Sequence, residues 1–370
     1  MAKIVFIVPY SKYYINFSWD LLKSLINEGN EITALAPDDS FHEELAAIGV
    51  KLIKTPLNNT GLNIFYDIYS LYMLVKRLKS IEPHLVMCYS LKPILYGTYA
   101  SRLAKVKSTF SFVTGIGYVF IGNTFLHKIL LTIVKILYKF SLKYSNKVFF
   151  ENPDDLSLFK SLRLLGKENE AVIVNGSGVD INKFTYSPPK VNPISFLVIS
   201  RIIFDKGILE FIEAAKILKQ KYPQIKFKIL GPFVKNPSSI KKEIIHEWVN
   251  QGVIEYLGET TDVRPFIADS SVFVLPSYRE GTPKSTLEAM AMGLPVVTTD
   301  CPGCRETVQN NVNGFLIPAK DCEALAMAME KFIINPSIIP IMGIKSREIA
   351  VRKYDVRKVN HFIKKNIGLE

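Results

Sequence analysis

The chain has 370 residues, of which 48% are hydrophobic and 22% charged, and its formal net charge is +12. This composition excludes a disordered chain, and the length is sufficient for two domains with large hydrophobic cores. The sequence contains no run of about 18 apolar residues and no signal-peptide pattern, so we expect neither a transmembrane helix nor export. Four cysteines fit a reducing compartment. We therefore expect a cytoplasmic protein, peripheral on the inner face of the cytoplasmic membrane.

Short apolar runs that are typical of buried strands alternate with helical stretches along the first half of the chain. These runs are KIVFIVP (3–9), EITALAP (31–37), VKLIKTP (50–56), LVMCYS (85–90), TFSFVTG (109–115) and KVFFEN (147–152). The segment AVIVNGSGVD (171–180) closes this half with a glycine-rich turn. Strands separated by helices predict βαβ units with parallel strands.

A basic amphipathic helix is predicted from about residue 124 to residue 145. Its apolar face comprises Leu126, Leu130, Ile133, Leu137 and Phe140, and a neighbouring stripe comprises Lys128, Lys135, Lys139 and Lys143. Such a helix can lie in an anionic membrane interface. Alternatively, it packs its apolar face on the core and leaves the lysines in solvent. Because no recognised nucleic-acid motif is present, we expect an anionic membrane surface, and no nucleic acid, as the partner of the positive charge.

The alternation of strands and helices restarts after the proline-rich segment YSPPKVNP (186–193). The strands predicted there are ISFLVIS (194–200), KFKILG (226–231), VIEYLGE (253–259), SVFVLPS (271–277) and PVVTTD (295–300). Two such series predict an α/β protein with two doubly wound, parallel-sheet domains that face a cleft. The predicted domains span residues 1–178 and 179–345, and a basic C-terminal helix within 346–370 would pack back on the first domain.

Two cations follow the first strand of the second half. Arg201 and Lys206 lie in the segment SRIIFDKG, and Gly207 opens the next helix. Cations beside a helix N-terminus suit a diphosphate, whose negative charge must be neutralised when it departs as a leaving group. The alternative is that both are ordinary surface cations.

Two glutamates flank the next candidate site, the segment EGTPKSTLE. Glu280 and Glu288 are placed across a loop and the start of a helix that Gly293 ends. In open α/β sheets, ligands bind where such strands end, and a helix N-terminus favours an anion. Glu288 would accept hydrogen bonds from a pair of sugar hydroxyls, and Glu280 would reach a second polar group. The alternative is that both glutamates are solvated surface residues.

The pair Cys301 and Cys304 resembles a redox motif or half of a zinc site. A zinc site would need two further ligands, yet Cys88 and Cys322 are isolated in the sequence. A redox pair would open a helix, whereas this pair follows a predicted strand. We therefore predict neither redox chemistry nor a metal at this position.

The order of motifs in the second half resembles family 4 of the retaining glycosyltransferases, which have the GT-B fold of two Rossmann-like domains. The resemblance lies in SRIIFDKG, in LG at 230–231, in YLGETTDV (256–263) and in LPSYREGTPKSTLEAMAMGLPVVTTDCPGCRE. First-half stretches that look like one bacterial subgroup are YSLKPILYG, TGIGYVF, FFENPDD and NGSGVD. That subgroup extends undecaprenyl-diphosphate-linked sugars and includes N-acetylgalactosaminyl α-1,3-transferases of O-antigen, capsule or N-glycan assembly.

The resemblance implies a role for each matching residue. The catalytic set would be Arg201 and Lys206, which neutralise the diphosphate, and Glu280, which contacts the donor sugar. Glu288 would hold the ribose hydroxyls of a UDP-sugar. The remaining donor contacts would be Gly281, Thr282, Pro283 and Lys284 at the sugar, Ser285 and Thr286 at the phosphates, and the segment from Thr260 to Val263 at the base.

This chain departs from the family pattern in its first half. Many members carry a histidine before a glycine near the donor sugar, and the matching turn here is Thr114-Gly115. The glycine pair often found in the first loop is also missing, because PYSKYYINF occupies that place. Thr114 and Gly115 would still contact the UDP-sugar, and no catalytic residue is assigned to the first domain.

The resemblance implies transfer of a sugar, such as GalNAc, galactose or glucose, with retention at the anomeric carbon. The donor would be a UDP-sugar and the acceptor a lipid-diphosphate-linked saccharide that the first domain binds. No cofactor is expected, and no Asp-x-Asp motif for a divalent metal occurs. Two alternatives remain open at this point. These are a UDP-sugar 2-epimerase, which shares the architecture, and a non-catalytic nucleotide-sugar-binding protein.

Overall fold

The computed structural model describes residues 1–58, 63–116, 125–166 and 169–369, with the backbone alone at 125–127. The chain divides into two compact units. The first comprises the chain up to Ser177 together with the segment from Asn360 onward, and the second comprises Gly178–Val359. Each unit is a parallel sheet with helices, as the βαβ pattern predicts.

The first unit contains a sheet of seven described strands in the order β3-β2-β1-β4-β5-β6-β7. The strands are β1 (Lys3–Ile7), β2 (Glu31–Ala36), β3 (Lys51–Lys54), β4 (Leu85–Tyr89), β5 (Ser108–Val113), β6 (Lys147–Phe150) and β7 (Glu170–Ile173). The helices are α1 (Trp19–Asn27), α2 (His42–Ala47), α3 (Ile64–Ile81), α4 (Thr98–Leu103), α5 (Phe125–Leu142) and α6 (Pro153–Ser161). Every described pair of neighbouring strands is parallel. The strand order reverses between β1 and β4.

A row of aromatic rings crosses this sheet from strand to strand. The ring of Tyr89 lies 5.9 Å from that of Phe6 on β1 and 4.3 Å from that of Phe112 on β5. Phe112 in turn stacks at 4.3 Å on Phe149 of β6. All four rings are buried. Stacked aromatic neighbours of this kind fix the pairing of the strands and give the sheet a rigid face.

The second unit contains a sheet of six described strands in the order β10-β9-β8-β11-β12-β13. These are β8 (Ser195–Ile199), β9 (Lys226–Leu230), β10 (Glu255–Tyr256), β11 (Val272–Leu275), β12 (Val296–Thr299) and β13 (Gly314–Ile317). The helices of this unit are α7 (Ile208–Lys221), α8 (Lys242–Asn250), α9 (Arg264–Ala268), α10 (Lys284–Met292), α11 (Cys322–Ile334) and α12 (Ile338–Ile349). The last helix, α13 (Val356–Ile367), begins in the second unit and continues into the first. The strand order reverses between β8 and β11.

The predicted fold class, α/β with two doubly wound parallel sheets, is confirmed. The sequence analysis did not predict β13, whose residues GFLI follow directly on Asn313. It pairs with β12 and closes that edge of the sheet.

The second unit extends to Val359, beyond the predicted boundary at residue 345. The reason is packing: Ile349, Ala350 and Tyr354 belong to the hydrophobic core that includes α10. The guanidinium of Arg347 also donates to the carbonyl oxygens of Phe184 and Ala291, at 2.7 and 2.6 Å. The last part of the chain, from Asn360, belongs to the first unit.

The basic helix predicted at 124–145 is α5, but its apolar face is divided. Leu130 and Leu137 pack against the core of the first unit. Ile133 and Phe140 are exposed instead, at 40% and 60%. Ile129 and Ile136 are also exposed, while the side chain of Leu126 lies outside the described residues. The helix is therefore both a core element and the carrier of an apolar surface stripe.

Candidate active site

The reversal of strand order in the second sheet brings two loops together. β8 pairs with β11, and the chain leaves β8 towards β9 but leaves β11 towards β12 on the other side. The loops at 200–207 and 276–283 therefore meet at the carboxyl edge of the sheet. Ligands of open α/β sheets bind in the crevice at such a switch point.

Backbone contacts hold these two loops against each other. The Tyr278 N–H donates to the Asp205 carbonyl oxygen at 2.9 Å. Gly207 has a φ of +69°, and a Cβ at this position would lie 2.1 Å from the carbonyl oxygen of Pro276. Only glycine allows this approach, because it lacks a Cβ and tolerates a positive φ. Gly207 also precedes α7, as predicted.

The predicted cation pair is divided between two environments. Lys206 forms an ion pair with Glu280, and their side chains are only 15% and 13% exposed. Arg201 directly follows β8, is exposed, and forms no ion pair within the described part of the chain. The structure therefore brings together Lys206 and Glu280, two members of the predicted catalytic set, and leaves Arg201 at the surface of the same edge.

Helix α10 begins at this edge of the sheet. Pro283 precedes its first turn without a side-chain cap, and the N–H groups of Thr286 and Leu287 donate to the Pro283 carbonyl oxygen. The first turn of a helix carries unpaired N–H groups and a positive dipole end, which suit an anion. The helix ends at Gly293, whose φ is +94°, so the predicted end is confirmed.

The residues of the predicted donor loop differ in burial. Gly281, Thr282, Lys284 and Ser285 are half-buried, whereas Pro283 and Thr286 are buried. The hydroxyl of Thr286 makes no hydrogen bond within the described residues. The half-buried members are accessible from solvent at this edge of the sheet.

Glu288 lies on the second turn of α10 and is half-buried. Burial raises the pKa of its carboxyl group to about 6, and the positive charges of Lys284 and Lys183 oppose this rise. The negative charge of Asp262 acts in the same direction as burial. The carboxylate makes no hydrogen bond within the described residues, so it is a charged acceptor that is suited to a pair of ligand hydroxyls.

The segment from Thr260 to Val263 forms a fixed turn after β10. The hydroxyl of Thr260 accepts from the Asp262 N–H at 3.1 Å, and Val263 precedes α9. Arg264 donates two hydrogen bonds to the Asp262 carboxylate at 2.8 and 2.7 Å, and this bidentate contact lowers the pKa of Asp262 to about 2. The turn is placed at the same carboxyl edge, two strands away from β8.

The segment Cys301–Cys304 supports the donor loop, a role that the sequence analysis missed. The Glu280 N–H donates to the Pro302 carbonyl oxygen at 3.0 Å. Gly303 has a φ of +81°, and a Cβ there would lie 2.2 Å from the Gly281 carbonyl oxygen. Burial raises the pKa of the Cys304 thiol to about 12, which keeps it protonated. The available signal was a glycine-containing turn directly after a predicted strand.

The described residues contain no group of three or more histidine, cysteine, aspartate or glutamate side chains that could hold a metal ion. All four cysteines are free thiols.

Thr114 and Gly115 belong to the first unit. They directly follow β5, and Gly115 has a φ of +104°. The hydroxyl oxygens of Thr114 and Ser90 are 2.9 Å apart. Both residues thus lie at the carboxyl edge of the first sheet.

Comparison with known proteins shows which proteins this chain is similar to. Residues 193–335 match the family described as "Glycosyl transferases group 1". The chain is 29% identical over 324 residues to the N,N'-diacetylbacillosaminyl-diphospho-undecaprenol alpha-1,3-N-acetylgalactosaminyltransferase of Campylobacter jejuni, with 84% of each chain covered. It is 24% identical to the Escherichia coli UDP-Gal:alpha-D-GlcNAc-diphosphoundecaprenol alpha-1,3-galactosyltransferase, with 90% of this chain and 88% of the relative covered.

A solved structure shares the whole fold. Anabaena HepE, crystallised in complex with UDP and glucose, superposes with a TM-score of 0.80 at 18% identity, and the match covers 100% of both chains. This likeness supports the assignment of both sheets to the GT-B fold. Residues 193–335 are thus a glycosyl transferases group 1 domain, and the resemblance of this chain to the GT-B glycosyltransferases is confirmed.

Proposed function

We propose that this glycosyltransferase transfers a hexosyl or N-acetylhexosaminyl residue from a UDP-sugar to an undecaprenyl-diphosphate-linked saccharide, with retention at the anomeric carbon. The observation that carries the proposal is the arrangement at the carboxyl edge of the second sheet. A cation, Lys206, the N-terminus of α10 and the half-buried Glu288 all lie at this edge. The names of the Campylobacter and Escherichia relatives support the lipid-linked acceptor.

The UDP-sugar binds along this edge in one orientation. Glu288 accepts hydrogen bonds from the ribose hydroxyls, the N–H groups at the start of α10 bind the diphosphate, and Glu280 contacts the transferred sugar. The turn from Thr260 to Val263 lies beside the base. The bound UDP of HepE supports a uridine nucleotide in this place.

The chemistry follows from the charges. The bond between the anomeric carbon and the diphosphate oxygen breaks, and the acceptor hydroxyl attacks the same face of the sugar. The departing phosphate takes the acceptor proton. Arg201, Lys206 and the helix N-terminus stabilise the negative charge that develops on the diphosphate. Protein cations therefore supply the stabilisation for which other enzymes use a divalent metal, and we expect the reaction to be metal-independent.

The first unit provides a surface that suits a lipid-linked acceptor. On α5, four exposed apolar residues, Ile129, Ile133, Ile136 and Phe140, follow each other at helical spacing. On α3, Phe65 is 87% exposed, and Ile68 and Tyr72 are each 60% exposed. Exposed apolar helix faces flanked by lysines favour an anionic membrane interface. We propose that these two faces hold the enzyme on the inner face of the cytoplasmic membrane.

No helix among the described residues is long and apolar enough, by itself, to cross a membrane. The two segments Cys322–Ile334 and Ile338–Tyr354 are bent against each other, and only together do they have the length and apolar composition of a membrane span.

The proposal is tested by incubating the protein with UDP-GalNAc, UDP-galactose or UDP-glucose, with and without a prenyl-diphosphate-linked N-acetylhexosamine. We expect UDP release that depends on the acceptor, an α-linkage in the product by NMR, and full activity in excess EDTA. Isomerisation of the donor without an acceptor would identify an epimerase instead. Donor binding with neither reaction would identify a binding protein.

A further inference from the structure

The side chains of Tyr278 and Glu210 form a second connection between the two loops of the candidate active site. The Tyr278 hydroxyl donates a hydrogen bond to the Glu210 carboxylate. Tyr278 lies in the loop after β11, shortly before Glu280, and Glu210 lies in the first turn of α7, shortly after Lys206. We call this hydrogen bond the tyrosine link, and we call the Lys206–Glu280 ion pair the lysine link. The two links therefore join the same two segments of the chain.

The tyrosine link is shielded from water, because both side chains are half-buried. Burial raises the pKa of the Tyr278 hydroxyl, and the hydrogen bond to Glu210 raises this pKa further. The hydroxyl therefore stays protonated and donates at neutral pH. The ammonium of Lys320 lies 4.9 Å from the centroid of the Tyr278 ring, and this cation–π contact stabilises the position of the ring.

Backbone contacts extend the tyrosine link towards Lys206. The Tyr278 N–H and the Ser277 hydroxyl both donate to the carbonyl oxygen of Asp205, at 2.9 and 3.1 Å. Asp205 directly precedes Lys206. The loop after β11 thus holds the chain just before Lys206, and the tyrosine link holds the helical turn just after it. The backbone of Lys206 is fixed from both sides.

The carboxylate of Glu210 is costly for the folded protein. Its Oε2 atom is buried and makes no hydrogen bond within the described residues. A buried carboxylate oxygen without a partner costs free energy. The same unit contains a tyrosine–glutamate contact with the charge balanced, since Glu330 accepts from Tyr222 at 3.1 Å and from Lys221 at 3.3 Å. Stability alone does not account for Glu210, so its position calls for a role in function.

The reaction itself weakens the lysine link. When the bond to the transferred sugar breaks, the ammonium of Lys206 turns its interaction from the Glu280 carboxylate to the departing diphosphate. At that moment the ion pair no longer holds the two loops together. The tyrosine link contains neither of the two charged groups of that pair, so it persists while they separate.

We propose that Tyr278 and Glu210 are positioning residues, which keep the two loops at a fixed separation so that Lys206 meets the departing diphosphate. This inference rests on the proposed function and assigns to neither residue a contact with the substrate. A group that acts in this way affects turnover more than donor binding, because correct placement matters most in the transition state.

Tyr278→Phe tests the proposal, because it removes the donating hydroxyl and retains the ring that Lys320 contacts. The turnover is expected to fall about 10- to 100-fold, the effect of a small misplacement of a catalytic group. The KM for the UDP-sugar is expected to change much less. Tyr222→Phe is the matched control, since it breaks the same kind of hydrogen bond at the other end of α7 and leaves turnover unchanged.

Two changes of Glu210 separate positioning from charge. Glu210→Gln retains an oxygen that accepts from Tyr278, so most of the turnover should be kept. Glu210→Ala removes the acceptor and should lower turnover as far as Tyr278→Phe does. Equal losses in Glu210→Gln and Glu210→Ala, with Tyr278→Phe at the wild-type turnover, would show that the hydrogen bond positions nothing.

The double variant Tyr278→Phe/Glu210→Ala distinguishes positioning from support of the fold. Both changes break one link, so turnover should fall no further than in either single variant. The double variant also removes the buried carboxylate, so it should melt at a higher temperature than Tyr278→Phe. Turnover that stays low while the melting temperature recovers supports the proposal. Turnover that recovers together with the melting temperature would show that the tyrosine link only stabilises the fold.

Calorimetric titration with UDP gives a readout that needs no transfer. The terminal phosphate of UDP carries the charge that the diphosphate gains on departure, so UDP reports the contact with Lys206 in the absence of an acceptor. Tyr278→Phe is expected to weaken UDP binding about 2- to 10-fold in the wild type and to have no effect in Lys206→Ala.

The titration also separates a failure of this inference from a failure of the proposed function. If UDP binds Tyr278→Phe as tightly as the wild type, and turnover is equal in both, the inference is wrong while the proposed function stands. If the wild type transfers no sugar but Tyr278→Phe weakens UDP binding only where Lys206 is present, the proposed function fails and the positioning of Lys206 is supported.

Discussion

The ammonium of Lys206 and the carboxylate of Glu280 form an ion pair that joins the loop after β8 to the loop after β11. Both groups are largely shielded from water, so the pair fixes the geometry of the switch point. A diphosphate that approaches this edge meets a lysine whose charge is already shared with a carboxylate. In the proposed reaction, the cation is positioned before the donor binds and strengthens its contact as the leaving group gains charge.

Replacing Lys206 with Ala is expected to lower turnover about 100- to 1,000-fold, the effect of removing one charge-stabilising group from a transition state. The KM for the UDP-sugar is expected to change much less. Steady-state kinetics with a UDP-sugar and a lipid-linked acceptor measure both. The surface pair Lys221–Glu330 provides the control, since Lys221 is 61% exposed and Lys221→Ala leaves both constants unchanged.

Lys206→Ala also removes the ion pair between Lys206 and Glu280, which destabilises the protein. The double variant Lys206→Ala/Glu280→Gln also removes the charge of Glu280 and is expected to recover thermal stability without recovering turnover. A higher KM with intact turnover in the single variant would show that Lys206 only binds the donor.

Glu288 is expected to make the stability of the folded protein depend on pH. Its carboxyl pKa is raised from 4.5 to about 6 in the folded protein, so the folded state binds more protons than the unfolded state between these values. The ionised carboxylate of Glu288 therefore destabilises the folded state. This destabilisation is absent below pH 4.5 and fully present above pH 6, where it reaches up to about 2 kcal/mol. Glu288→Gln should therefore raise the melting temperature at pH 7.5 and leave it unchanged at pH 4.5.

The same variant is expected to bind a UDP-sugar about 10- to 100-fold more weakly at pH 7.5, because ribose hydroxyls lose a charged acceptor. In the wild type, affinity should decline as the pH falls through about 6, when the carboxylate becomes protonated. Calorimetric titrations between pH 5 and pH 8 test both statements. If donor affinity depends on pH in the same way in the wild type and in Glu288→Gln, Glu288 does not hold the ribose hydroxyls.

Gly303 is expected to be indispensable for the shape of the donor loop. In Gly303→Ala, the new Cβ would lie 2.2 Å from the Gly281 carbonyl oxygen and 2.3 Å from that of Glu280. The loop must move, so we expect a loss of more than about 2 kcal/mol in stability and a higher KM for the donor. Gly252→Ala is the control: Gly252 has a similar φ of +70°, but nothing lies within 4 Å of the new Cβ.

The control isolates backbone strain, which costs about 1–2 kcal/mol in a left-handed conformation. If both variants lose equal stability and keep the wild-type KM, the Cys301–Cys304 turn has no part in donor binding. Urea denaturation and donor titrations distinguish these outcomes.

The sequence predicts the parts of this molecule that depend on local patterns. Buried parallel strands are short apolar runs, and the helix start after β11 follows from the turn before Lys284, so both were found. Contacts between distant segments leave no such pattern. The pairing of Lys206 with Glu280 joins residues 74 positions apart, and the support of Glu280 by Pro302 depends on the order of β11 and β12 in the sheet.

Sequence periodicity also did not resolve which apolar residues of a helix are buried. The apolar face predicted for α5 is divided between core and surface, because the helix packs along Val134 and Tyr138. The exposed face of α3 was not predicted, since apolar residues on both sides of a helix look alike until one side is covered. On the covered side of α3, the carboxylate of Asp67 forms an ion pair with the ammonium of the buried Lys92, at 2.9 Å.

Membrane binding is expected to depend on the two exposed helix faces of the first unit. Changing Lys128, Lys135, Lys139 and Lys143 to Gln removes roughly 1 kcal/mol of attraction to anionic lipid for each lysine. Partitioning onto anionic vesicles should therefore weaken by about three orders of magnitude. Replacing Phe65 and Tyr72 of α3 with Ser should also weaken binding, but without the same sensitivity to salt.

A matched control carries the same change of charge in the second unit. Lys216, Lys235, Lys241 and Lys242 are exposed there, and their replacement by Gln should leave vesicle binding nearly unchanged. High salt should mimic the α5 variant, because surface attraction is screened within about 10 Å at 0.1 M. Transfer to a long-chain lipid acceptor should slow in step with vesicle release, while transfer to a short water-soluble analogue should be spared, because the α5 lysines take no part in donor binding. Equal loss on both acceptors, or equal release by the control, would show that α5 acts only as a core helix.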